Sequence, residues 1–96
     1  MKIRILESAS QDLIDGFHFY DKQSAGLGNY FIDSLFSDID SLQIYAGIHS
    51  IYFGYHRMLS KRFPFAIYYK LSDTEVLVYA ILDCRRNPAW IKKQLK

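Results

Sequence analysis

A chain of 96 residues, half of them apolar and 17% aromatic, makes a single domain (residues 1–96) and excludes intrinsic disorder. One cysteine, Cys84, excludes an internal disulfide, and neither MKIRILES nor any later run has the apolar length of a leader or membrane span, so a soluble cytoplasmic protein is expected. The net charge of +2 conceals two unlike halves: three cations against seven acids (−4) in residues 1–48, then nine against three (+6) in residues 49–96, which points to a polyanionic or acidic partner.

Lys2 to Glu7 alternates loosely and predicts a first strand. Ser8 and Gln11 have capping-box spacing for a helix start, and Ala9, Leu13, Phe17 and Tyr20 then share one helical face. The segment DKQSAGLG, residues 21–28, breaks that helix. A second follows, with Phe31, Leu35, Ile39 and Leu42 as its apolar stripe. Two such helices make an αα-hairpin whose stripes need a common surface to cover.

After Gly47 the composition turns to β-formers, in runs 51–59, 63–71 and 74–84. Ser72-Asp73 predicts a tight turn joining the last two, and Pro64 belongs at a strand start or edge. The period of two places Val76, Val78, Ala80, Leu82 and Cys84 on the face beneath the helices, and Leu77, Tyr79, Ile81, Asp83 and Arg85 on the other. A bulge between 83 and 86 would exchange Arg85 for Arg86. Phe65, Ile67, Tyr69 and Leu71 alternate with Ala66, Tyr68 and Lys70, and Arg57 alternates with His56 and Met58. Asn87 as N-cap and Pro88 at the first helical position predict a short helix over 88–96, docked by Trp90, Ile91 and Leu95. The fold class is therefore α+β: an N-terminal strand, an αα-hairpin, a mainly antiparallel three-strand meander and a short C-terminal helix.

No metal site is expected, because Cys84, His18, His49 and His56 lack ligand spacing. No cofactor is expected either, there being no glycine-rich phosphate loop. Cys84 reads as a small core residue and His18 as structural. What remains is a cationic set, Arg57, Lys61, Arg62, Arg85 and Arg86, interleaved with Tyr55, Tyr68, Tyr79 and Trp90. Guanidinium groups bind phosphate bidentately and rings stack on unpaired bases; the same set suits the carboxylates of an acidic peptide. These cations are expected on the sheet face that the helices leave open. Pairing of Arg57 or Arg85 with Asp83 or Glu75 is the plainer alternative.

The segment HRMLSKRFPFAIYYKLSDTEVLVYAILDCRRNPAWI, residues 56–91, resembles the RelE/ParE superfamily of type II toxins, also called plasmid stabilisation proteins. The resemblance lies in an arginine before the strands, the KRFPF-IYY strand, the apolar strand and the Arg-Arg-x-Pro ending. It implies the RelE/ParE-like fold and a toxin neutralised by a cognate antitoxin. Two mechanisms are implied, and the basic, aromatic groove expected here favours the first. In one, mRNA is cleaved on the ribosome without metal, with Arg62 and Arg85 stabilising the transition state and Arg57, Lys61, Arg86, Tyr68 and Trp90 binding RNA or another target. In the other, DNA gyrase is inhibited without catalysis, through the corner from Arg86 to Trp90. A folded but harmless relative that binds only its antitoxin is the third possibility. Nuclease members carry a tyrosine or histidine soon after the last strand, where this chain has Asn87-Pro88-Ala89-Trp90, so His56, Lys61 or Tyr68 would have to replace it.

Overall fold

The alternation at the N-terminus yields strand β1 (Lys2–Ile5), with Ile3 and Ile5 half-buried and Lys2 and Arg4 exposed. In this computed structural model, which describes residues 1–95, helix α1 (Glu7–Gln23), helix α2 (Leu27–Asp40) and a single turn, α3 (Leu42–Tyr45), come next. Two hairpins follow: β2 (Ile51–Tyr52) with β3 (Tyr55–Leu59), and β4 (Phe65–Leu71) with β5 (Glu75–Asp83). Helix α4 (Pro88–Gln94) completes the order, with Lys96 of the predicted helix outside the described residues. The sheet runs β1-β5-β4-β3-β2, parallel at β1–β5 and antiparallel elsewhere.

The helical hairpin packs tightly because glycine occupies both contact points. A Cβ on Gly16 would stand 2.5 Å from the Phe31 ring, and one on Gly28 would stand 2.7 Å from the Phe17 carbonyl oxygen. The Asp21 carboxylate closes the connection, accepting from the amides of Gly26 and Gly28 at 3.0 and 3.2 Å. Ser8 is not the cap that its spacing predicts. Leu6 holds the N-cap position, and the Ser8 hydroxyl donates instead to the Tyr79 carbonyl at 2.6 Å. Four residues on, Asp12 accepts from the Ile81 amide at 3.0 Å. Together they satisfy the stretch of β5 beyond the end of β1, a protection that exposed strand edges need.

Three other expectations are corrected. The run 51–59 is two strands, because Phe53 and Gly54 take φ of 55° and 86° and reverse the chain. The alternation of β5 is broken, not at 83–86 but at Tyr79: Tyr68 faces Ala80 and Tyr69 faces Val78, leaving Tyr79 as an extra residue. Val76, Val78 and Ile81 therefore join the helix-side core with Phe31, Leu35, Ile67 and Tyr69, while Ala80 and Leu82 turn to the opposite face. Nor is that opposite face left open. Ile91 of α4 and Leu95 just past its end cover Tyr55, Ala66, Tyr68, Ala80 and Leu82, and the Tyr55 hydroxyl donates to the Leu95 carbonyl at 2.7 Å.

Candidate functional site

Strand β3 ends at Leu59, β4 begins at Phe65 and β5 ends at Asp83, all at the same end of the sheet. The Cys84 amide donates to the Pro64 carbonyl at 2.9 Å, tying the loop 60–64 to the corner 84–87. Lys61, Arg62, Arg85 and Arg86 are thereby brought to one rim. Its loop is anchored by Asp38 of α2, 4% exposed, which accepts from the Ser60 hydroxyl at 2.6 Å and from the Lys61 amide at 3.3 Å. At the corner the Asn87 side chain accepts from the Ala89 amide at 2.7 Å, the predicted cap.

The four cations differ in availability. Arg85 closes a fork on Asp83, with contacts of 3.0 Å from Nε and 2.7 Å from Nη2, the one salt bridge among the described residues. That hydrogen bonding holds the Asp83 carboxyl below its usual range and keeps Arg85 more firmly charged. On the helix side of the sheet, burial raises the pKa of the Tyr20 hydroxyl, opposed by the nearby charge of Arg85. Arg86 lies over Trp90, its guanidinium carbon 3.8 Å from the ring centroid. Lys61 and Arg62 are exposed.

Arg57 sits apart, in the middle of β3 opposite Tyr68 and 4.7 Å from the Tyr52 ring centroid. Tyr68 itself is 2% exposed, so its ring cannot stack on a guest in this conformation. Burial raises its hydroxyl pKa, with the Arg57 charge opposing. Arg57 and Lys61 line a groove of about 710 Å³ outside β3, whose wall includes Tyr45, Ile48, His49 and Tyr52. The expectation of cations gathered on one open face is thus corrected. Arg57 and Tyr68 share the α4 face, Arg85 turns toward the helical hairpin, and Lys61, Arg62 and Arg86 occupy the rim between them.

Sequence spacing offered no reason to single out His49. Its Nδ1 lies 2.6 Å from the Tyr69 hydroxyl, which also accepts from the Gly47 amide at 2.9 Å. With one acceptor site taken, the hydroxyl is placed to donate to His49 Nδ1. His56 Nδ1 reaches the His49 carbonyl at 2.7 Å, which requires it to carry the proton, and its ring stacks on Tyr69 at 5.0 Å. Burial, with the neighbouring His56 second, lowers the His49 pKa and keeps the ring neutral at pH 7. No group of three metal-ligating side chains occurs among the described residues, and none of their helices is long and apolar enough to cross a membrane.

No family model matches the sequence, and no curated protein is matched. Among solved structures, a chain of the "Chromosomal ParDE TA system from P. aeruginosa" superposes with a TM-score of 0.77. The two are 19% identical, over 84% of this chain and 92% of that one. A likeness at that identity is a likeness of fold, and the α+β architecture expected from the sequence resemblance is the one this chain adopts.

Proposed function

We propose that this protein is the toxin of a type II toxin–antitoxin pair, and that it acts by binding its target rather than by cutting RNA. Support for the toxin role comes from the shared architecture and from the basic rim of Lys61, Arg62 and Arg86 at the end of a rigid sheet. The observation that carries the non-cleaving mode is the state of Arg85. The arginine aligned with a catalytic role is engaged by Asp83 in an exposed ion pair, and the four residues after Arg86 offer no side chain able to transfer a proton at neutral pH. General acid–base help is worth about 10²–10⁴-fold, a loss that cations alone do not restore. The target on this reading is DNA gyrase, engaged through the corner from Arg86 to Trp90, and the partner that neutralises the rim is a cognate antitoxin.

One observation favours the alternative of ribosome-dependent mRNA cleavage. The groove beside β3 is lined by His49 together with two cations, Arg57 and Lys61, a combination suited to holding a phosphate and stabilising charge that develops on it. Two parallel assays of the purified protein separate the readings. In a gyrase supercoiling reaction, inhibition or accumulated double-strand breaks are expected. In a translating extract, primer extension along the message should show no new ends. Codon-spaced cuts would establish cleavage instead, and a protein inert in both assays would be a relative that only binds its antitoxin.

A further inference from the structure

Residues 41–56 contain no Asp, Glu, Lys or Arg, in a chain where 23% of residues are charged. This neutral stretch runs from α3, which packs against α2 and β1, to the outer edge strand β2 and into β3. Six large apolar side chains stand out from it: Ile44, Tyr45, Ile48, Ile51, Tyr52 and Phe53, each between 45% and 79% exposed. At about 200 Å² for an aromatic side chain and somewhat less for isoleucine, on the order of 700 Å² meets water. Without Ile44 of α3, the side chains from Tyr45 to Phe53 expose on the order of 500 Å², at the upper end of the roughly 300–600 Å² of the largest patch on an ordinary monomer. Two such patches bury on the order of 1,000 Å² together, the low end of a specific interface.

The backbone is poised in the same direction. Tyr52 is opposite Tyr55, and the Arg57 amide donates to the Ser50 carbonyl at 2.9 Å, so Ser50 and Tyr52 turn their polar groups toward β3. Antiparallel alternation then turns the N–H and C=O of Ile51 outward. β2 ends the sheet without the charges or proline that usually guard an edge strand. Phe53, at φ 55°, places a bulky aromatic at a turn position that favours asparagine or glycine, and holds it in solvent.

We propose that this rim joins two copies of the chain. The copies meet about a twofold axis at Ile51, whose N–H and C=O exchange hydrogen bonds with those of its counterpart, so that two five-stranded sheets become one. A twofold contact brings the same patch against itself. Residues 41–56 bring no charge of their own to that contact, and Arg57 of β3 is held over the Tyr52 ring, 4.7 Å from its centroid. Arg57 and Lys61 border the patch at the groove whose wall includes Tyr45, Ile48 and Tyr52, while the unpaired backbone groups of Ile51 face away from β3. The proposal is independent of the toxin reading.

Light scattering or sedimentation of the full chain, from micromolar to hundred-micromolar concentration, tests it. A mass twice the 11.3 kDa of one chain is expected at the upper end. Ile51→Pro removes the outward N–H without touching the β2–β3 bonds, and Ile48→Glu places a charge in the patch. Each should give a monomer with an unchanged far-UV circular dichroism spectrum. A wild-type chain that stays monomeric throughout overturns the proposal. So does a dimer that survives both substitutions, or a rim that gains hydrogen-exchange protection only when another protein or RNA is added.

Discussion

Replacing Asp38 by alanine should loosen the rim and destabilise the whole domain. The carboxylate is 4% exposed and receives a 2.6 Å bond from the Ser60 hydroxyl and a longer 3.3 Å bond from the Lys61 amide. Hydrogen bonds to a charged group are worth about 1.5–3 kcal/mol each, and the longer one falls at the bottom of that range or below it. Alanine also leaves a cavity and strands two donors, so a total loss of about 2–4 kcal/mol is expected. For a domain of this size that lowers the Tm by roughly 10–25 °C. Asp38→Asn keeps an acceptor and should lose about half as much. Thermal and urea unfolding at pH 7 give the magnitudes, and amide exchange at Lys61 should accelerate in the alanine variant. An alanine variant within about 0.5 kcal/mol of wild type, the usual range of a surface change, would refute the idea that Asp38 holds the basic loop.

Three further outcomes are expected. Burial raises the Asp12 pKa to about 6 from 3.8, so its ionisation opposes folding: the protonated form is favoured below about pH 4, and that stability is lost as the pH rises through 6. After allowance for partial exposure the effect is about 1 kcal/mol. Asp12→Asn, which still accepts from the Ile81 amide, should therefore be more stable at pH 7 and flatten the profile between pH 4 and 6 in urea titrations. Gly28→Ala drives a methyl group against the Phe17 carbonyl oxygen and should cost about 1–3 kcal/mol in chemical denaturation, whereas an alanine at Gly26 meets open space and its cost, about 1 kcal/mol, comes from the φ of 90° alone. Tyr69→Phe deprives the Gly47 amide and His49 of their partner, and should cost about 1–2 kcal/mol and speed exchange of the Gly47 amide in NMR spectra.

The order of elements was legible because each announces itself locally. The apolar stripe Phe31, Leu35, Ile39 and Leu42 has helical spacing and is buried, and Asn87-Pro88 starts a helix by its own chemistry. What was not legible depends on long-range choices. Both parities of β5 are apolar, Val76, Val78, Ala80 and Leu82 on one and Leu77, Tyr79 and Ile81 on the other, so a one-residue slip at Tyr79 leaves no mark in the pattern. Phe53-Gly54 lacks the usual hairpin signature, which hid the split of one predicted strand into β2 and β3. Ser8 satisfies a spacing rule, yet the nearby carbonyl of Tyr79 offers its hydroxyl a better partner than the helix start. The cations were easy to name, but their grouping follows from the Cys84–Pro64 contact and the Arg85–Asp83 fork, neither of which composition reveals.

Growth after induction tests the central reading most directly, comparing wild type with the triple substitution Lys61→Ala, Arg62→Ala, Arg86→Ala, each with and without the protein encoded next to it. The wild-type chain should arrest growth and be rescued by that neighbour, while the triple variant, folded by circular dichroism, should be harmless. A wild-type chain without effect, or a triple variant equally toxic, would contradict the account.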